Sequence, residues 1–351
     1  MADAFIATLC DRIKDHAARK APLRIRGGGT KDFYGAAQDG EVLDVASYSG
    51  IVAYEPKELV VTVRAGTRLR DLEAELAAQR QMLAFEPPHF GEDATIGGTV
   101  ACAFSGPRRP YAGSLRDFVL GTRVVNGKGE DLSFGGRVIK NVAGYDVSRL
   151  MAGALGTLGV ITEISFKVLP RPALETTLTF EMDEEHATQQ VNLWAGQPLP
   201  LSATSWQDGR VRVRLSGAPT AVAAAKAKMG GEEIDAGTYW NDLREHRLPF
   251  FASGGPLWRL SLPQTAPKIS TPHSQLIEWG GGVRWTAGPV EILALRTTVE
   301  HLGGHAAIFR GGNRADGIFH PLRPSLAKIH QRLKAAFDPA GIFNPGRMYD
   351  F

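Results

Sequence analysis

The chain has 351 residues, 40 Lys and Arg against 37 Asp and Glu, a net charge of +3 and 43% hydrophobic residues. This is an ordinary globular composition, at a length that fits two domains. There is no apolar run of spanning length, no secretory signal pattern and no basic stretch with aromatic platforms, so a cytoplasmic protein with no transmembrane segment and no nucleic-acid partner is expected. Cys10 and Cys102 supply neither a disulfide framework nor the ligand set of a zinc or iron–sulfur site, and no metal is expected.

In chain order, Phe5, Ile6, Leu9 and Ile13 recur at helical spacing and predict a helix over 3–20. Leu23–Arg26 reads as a short strand ending on a glycine run, and 42–45 and 59–63 as further strands. Thr67 is the predicted N-cap of a helix over 69–79. Residues 118–134 read as a hairpin turning at Asn126-Gly127, and 147–154 as a short helix. A strand over 159–168 runs into Leu169-Pro170-Arg171-Pro172, which breaks the pattern and marks the domain boundary. Beyond it, strands are predicted at 174–181, 202–206, 210–216, 257–262, 290–296 and 305–309, and helices near 184–195, 219–229, 264–278 and 322–337. That mixture predicts an α+β domain with an antiparallel sheet.

The glycines carry the functional signal. In Arg26-Gly27-Gly28-Gly29-Thr30-Lys31, consecutive residues without Cβ atoms let backbone N–H groups converge on an anion, with Thr30 as a further donor and Arg26 or Lys31 as neutralising charge. About seventy residues on, Thr95-Ile96-Gly97-Gly98-Thr99 leads through Gly106, Arg108 and Arg109 to Tyr111-Ala112-Gly113. Naked backbone, hydroxyls, cations and an aromatic ring suit a flat conjugated ring with a pyrophosphate tail. Neither run fits a Rossmann fingerprint or a P-loop: Asp32 stands where the third glycine would be, and Gly127-Lys128 is followed by glycine.

These segments, with Gly156-Thr157-Leu158-Gly159-Val160-Ile161, resemble the vanillyl-alcohol-oxidase/p-cresol-methylhydroxylase (PCMH) type of FAD-binding domain in order and spacing across 5–170. The resemblance implies an α+β fold: a two-subdomain PCMH-type domain over 1–170 and a shortened α+β domain with an antiparallel sheet over 171–351. It implies that FAD is held by Arg26, Gly27, Gly28, Gly29, Thr30, Lys31, Pro87, Thr95, Ile96, Gly97, Gly98, Thr99, Gly106, Arg109, Tyr111, Gly113, Gly156, Gly159, Val160 and Ile161. Lys140–Asp146 and Phe337–Arg347 are similar to the glycolate oxidase and D-lactate dehydrogenase branch, and the overall length to FAD-binding subunits of bacterial glycolate oxidases. Such a subunit would act on a small 2-hydroxy acid (glycolate or D-lactate) beside a larger flavoprotein and an iron–sulfur subunit, which could also hold it at the inner face of the membrane. A self-sufficient FAD-dependent 2-hydroxy-acid dehydrogenase and a non-catalytic structural subunit are the alternatives.

Two departures qualify this resemblance. Thr30 stands where covalent relatives carry His, so the flavin is expected to be non-covalent. His301-Leu302-Gly303-Gly304-His305 lacks the Asp and Asn of the metal-holding segment of catalytic relatives, which leaves the catalytic residues unassigned. Arg108 and Arg109 read equally as ligands of an anion or as exposed loop cations. The glycine run between Trp279 and Trp285 reads as a tight hairpin, with a partner contact as the alternative.

Overall fold

The computed structural model describes residues 2–36, 39–136, 146–252, 254–313 and 317–350. Lys140–Tyr145 lie outside the described residues. The first unit is built on a five-stranded antiparallel sheet in the order Ile51–Glu55, Val60–Arg64, Val160–Lys167, Val119–Val125, Asp131–Gly135. The strands Val60–Arg64 and Val160–Lys167 are buried along most of their length, so their sequences read as near-continuous apolar runs rather than alternation. Leu69, Leu72 and Leu76 of the helix Leu69–Ala78 bury one stripe against this core beside Phe85 and Phe166. A second, smaller core forms where Ile6, Leu9 and Ile13 of the N-terminal helix meet Leu23 and Leu43 of a parallel strand pair, Leu23–Arg26 with Glu41–Asp44. The cleft between these subdomains is where the two glycine runs meet.

The second unit is an eight-stranded antiparallel sheet. Side-chain alternation divides it. Trp258 and Leu260 join a cluster with Leu295 and Val299 of the helix Ile292–His301. Leu257, Trp285 and Phe309 point the other way, into an aromatic cluster on which Phe33, Tyr34, Phe90 and Phe104 of the first unit pack. An ion network sews the seam between units: Glu86 accepts from the Arg108 backbone N–H at 3.0 Å and side chain at 3.1 Å, and from Arg214 Nη2 at 2.8 Å. Glu245 Oε2 accepts the Phe90 N–H at 2.9 Å. His89 is held in the same seam, its ring 2.8 Å from Glu73.

Three local expectations differ. Residues 290–296 form the start of a helix, because the Glu291 carboxylate accepts from the Leu293 and Ala294 N–H groups and Leu295 and Val299 fall four apart on the buried face. The segment 264–278 is irregular up to the strand Gln275–Glu278, since Pro267 and Pro272 forbid the helix interior. Thr67 is not the cap; its hydroxyl exchanges hydrogen bonds with the Gly50 backbone while Arg68 takes the capping position. The strands Gln275–Glu278 and Val283–Ala287 do pair as a tight hairpin across the third glycine run, with Trp279 and Trp285 buried.

Although the boundary at 169–172 separates the two sheets, the last part of the chain returns to the first unit. Phe343 bridges Leu23 in parallel register, Ile342 and Phe343 are fully buried in the smaller core, and Leu333 and Phe337 of the helix Pro324–Phe337 lie on the larger one. Asp338 organises this return: its carboxylate pairs with Lys334 at 2.7 Å and accepts the Ile342 and Phe343 N–H groups.

Candidate cofactor cleft and interdomain cavity

The cleft between the two subdomains is walled by the first glycine run, Thr95, Gly97, Gly98, Gly156, Gly159, Ile161, Asn344 and Arg347. The two runs play different parts. The backbone N–H groups of Gly27, Gly28, Gly29, Thr30 and Lys31 donate to no acceptor among the described residues. In the second run the amides are spoken for: Ile96 N–H donates to Thr67 O, Gly97 N–H to Ala65 O, and Gly98 N–H to Thr95 Oγ1. A Cβ on Gly28 would sit 1.5 Å from the Asp93 carbonyl, and one on Gly27 would sit 2.3 Å from Thr95 Oγ1. The absent side chains in the first run therefore let the two loops touch, leaving its amides facing the cleft. Gly98 is the open position, where a Cβ would meet only Thr95 Oγ1, at 3.3 Å, before projecting into the cleft.

Charge in the cleft is distributed differently from the sequence expectation. Arg26 Nε donates to Asp32 at 2.9 Å, and Arg24 reaches the same carboxylate at 2.7 Å, so Arg26 is largely compensated. Lys31 is buried, its ammonium donating only to neutral oxygens, His89 O at 3.0 Å and Thr30 Oγ1 at 3.3 Å. Burial pushes its pKa down. Arg347 supplies a second buried cation whose Nε has no partner among the described residues. Beneath it, Asn344 Oδ1 accepts the Ile25 N–H and its Nδ2 donates to Leu155 O, tying strand, glycine turn and C-terminal segment together. A cradle of free amides with two incompletely paired cations has the donor chemistry of a diphosphate site. Asn344 and Arg347 belong to the C-terminal motif, yet nothing in linear order pointed to the cleft.

Cys102 lines both this cleft and a larger cavity, of about 820 Å³, between the units. Gly106, Arg109 and Gly113 open onto this cavity rather than the first cleft. Ile96, Thr99 and Val160 are buried and reach neither, Pro87 is buried beside the cavity residue Pro88, and Tyr111 packs on the second unit's core. Arg108 is buried in the seam with Glu86 and Glu175. His301 is exposed at a helix end, while His305 begins a strand and faces the cavity, so the two do not form a ligand pair. No group of three or more metal-ligating side chains occurs among the described residues.

The far wall of the cavity comes from the second unit, and of its residues the sequence singled out only Gly303, His305, Trp279, Trp285 and the glycines between the two tryptophans. Arg259 lies over the Trp279 ring at 5.1 Å, and Arg109 lies over the same ring at 4.5 Å. Trp279 Nε1 donates to Gly106 O at 3.1 Å, fixing the ring across the seam. Glu278 is buried and accepts from Trp285 Nε1 at 2.7 Å; burial pushes its pKa up to about 7, against the opposing pull of that hydrogen bond and of Arg259. His246 stacks on Phe251 at 4.0 Å, its Nδ1 has no partner, and burial together with Arg310 and Arg259 holds its pKa well below the usual range. Such residues lie on three separate strands and a loop, with no local motif to announce them.

Residues 6–135 match the family model described as the FAD binding domain. The chain is 49% identical to glycolate oxidase subunit GlcE of Escherichia coli strain K12 over 341 residues, covering 97% of this chain and 96% of that protein. A D-lactate dehydrogenase of Anaerostipes hadrus is 33% identical over 171 residues, 48% of this chain and 34% of the relative. Among solved structures, alkyldihydroxyacetonephosphate synthase shares the fold over 97% of this chain and 75% of that one, with a TM-score of 0.64 and 15% identity. The chain is an FAD-linked oxidoreductase with a PCMH-type FAD-binding domain, and its cofactor is FAD. More narrowly, it belongs to the family of glycolate oxidase subunit GlcE.

Proposed function

We propose that this chain is the FAD-binding subunit of a glycolate-oxidising complex, converting glycolate to glyoxylate and passing electrons to partner subunits. The observation that carries the reading is the adjacency of the two spaces, which share Cys102 in their walls. A cradle of free amides and cations lies beside a cavity lined by cations, a carboxyl group and aromatic rings. The free amides of 27–31, with Lys31 and Arg347, would hold the pyrophosphate; Gly98, Gly156 and Gly159 would flank the chain that leads on toward the cavity. When bound, FAD supplies a two-electron acceptor for the hydride on the substrate's hydroxyl-bearing carbon. The protein's own part is to hold the carboxylate, exclude water with Phe90, Phe104 and Phe309, and take up the hydroxyl proton. Thr30 offers no nucleophile equivalent to a linking histidine, so the flavin is held without a covalent bond.

Electrons leave to a partner because two distant cysteines cannot form a cluster. A larger flavoprotein and an iron–sulfur subunit are the partners this reading requires. Among the described residues no helix is long and apolar enough to cross a membrane, and we place the complex in the cytoplasm, with any membrane contact made through partners.

The test is Gly98→Val. Its side chain enters the cleft without meeting backbone, whereas valine at Gly97 would strike Ala65. Gly98→Val is expected to fold normally and to retain little flavin after gel filtration, while normal flavin content would refute the cleft assignment.

A further inference from the structure

The cavity between the units holds more positive charge than its own acids neutralise. Arg109, Arg116, Arg244 and Arg259 face it, against Asp117 and Glu278. Arg244 pairs with Glu245, and Asp117 is engaged by the Ser114 backbone and hydroxyl. Arg109 and Arg259 make no ion pair and no side-chain hydrogen bond among the described residues. Both are held instead against one indole, that of Trp279, and both have pKa values lowered by burial. The charge of Arg109 further depresses Arg259. Arg109 is exposed toward the cavity and Arg259 half-buried, so two guanidinium groups without an ion-pair partner among the described residues share one ring and are open to an anionic ligand.

The geometry points to Arg109 and Arg259 as a two-sided clamp for the carboxylate of a small monocarboxylate ligand, with the Glu278 carboxyl group beside it as the switch that admits the anion. This deepens the reading above and rests on it for the identity of the ligand as a 2-hydroxy acid. Arg109 belongs to the first unit and Arg259 to the second, so the clamp exists only when the units are docked; Trp279, bonded to Gly106 O, is the hinge pin. Planar guanidinium groups match a carboxylate edge to edge and suit stacking on an indole, whereas lysine would do neither.

Glu278 sits on the strand Gln275–Glu278. The titratable groups around it are Arg259 from the strand Leu257–Ser261 and Tyr239 from the helix Tyr239–Arg244, with Trp285 donating from the strand Val283–Ala287. Below pH 7 it is neutral and adds no repulsion to a bound anion. Above pH 7 it becomes a carboxylate, competes for Arg259 and repels the ligand. His246 and His305 are both shifted down by burial.

The experiment titrates the full-length holoprotein with oxamate, a monocarboxylate that cannot be oxidised, by calorimetry at pH 6 and pH 8, recording the flavin absorbance of each sample. The parent should bind oxamate about tenfold more tightly at pH 6 than at pH 8, as expected for a single group titrating near 7. Arg259→Gln and Arg109→Gln should each weaken binding at pH 6 by about ten- to a hundredfold, the worth of a charge-assisted hydrogen bond, with flavin content unchanged. Glu278→Gln should bind oxamate at pH 6 like the parent and lose the pH dependence. Unaltered affinity in either arginine variant would overturn the clamp, as would an equal loss in Arg116→Gln, which would mean diffuse charge rather than a built site. Absence of flavin from the parent would instead sink the cofactor reading, and calorimetry still reads the clamp in that sample.

Discussion

Glu278 makes a sharp prediction about stability. A carboxyl group titrates near 4.5 in the unfolded chain and is pushed up to about 7 here, chiefly by burial. Below pH 4.5 it is protonated in both states and pH exerts no effect through it. Between 4.5 and 7 the unfolded chain releases the proton while the folded one keeps it, so stability falls as pH rises; above 7 the loss is complete. At about 1.4 kcal/mol per pH unit, the gap amounts to about 3 kcal/mol. Glu278→Gln removes that cost, because the amide carries no charge and its oxygen can still accept from Trp285 Nε1. Urea unfolding of both proteins, followed by tryptophan fluorescence, is the assay. The variant should match the parent near pH 4.5 and exceed it by about 3 kcal/mol at pH 8. Equal stabilities at pH 8, or a difference that does not change with pH, would refute the claim that Glu278 is held neutral.

The seam offers a second test: Glu86→Gln removes the negative charge and one of the two acceptor oxygens shared by Arg108 and Arg214, and should cost about 3 kcal/mol by leaving buried guanidinium charge under-compensated, measured as a lowered urea midpoint. Gly28→Ala puts a methyl group 1.5 Å from the Asp93 carbonyl, so the two glycine loops should part, and both thermal stability and flavin retention should fall in a melt with and without added FAD. Asp338→Asn breaks the pair with Lys334 and should loosen the segment carrying Asn344 and Arg347, raising the FAD dissociation constant at least tenfold in an equilibrium titration.

Local signals carried the first unit. The helical stripe of Ile6, Leu9 and Ile13, the turn at Asn126-Gly127 and the two glycine runs are each short-range patterns: the stripe is buried, the turn joins two paired strands, and the two runs line one cleft. Apart from 264–278, where Pro267 and Pro272 are local breakers, the failures share a cause: a neighbour distant in sequence helped decide the outcome. Residues 290–296 have strand-like composition, but the Glu291 cap and burial against Trp258 and Leu260 favour a helix. Arg26 looked like the charge facing the cleft until Asp32 claimed it, and Arg347, more than three hundred residues away, stands at the cleft wall instead. Arg259, Glu278 and His246 have ordinary neighbours in sequence. Only the crossing of three strands and the docking of the first unit make them a site.

The return of the C-terminal segment has a consequence for biosynthesis. The cleft is walled on one side by Asn344 and Arg347 and on the other by residues 25–31, so its two halves leave the ribosome more than three hundred residues apart. The glycine cradle emerges early and must wait, with its amides open to water, until more than three hundred further residues have been made. On the cofactor site proposed above, loading of FAD would be coupled to synthesis through residue 347, and a nascent chain stalled before the Asp338 turn would be unable to retain the cofactor. Flavin occupancy would then mark the chains whose Asp338–Arg347 segment has folded home.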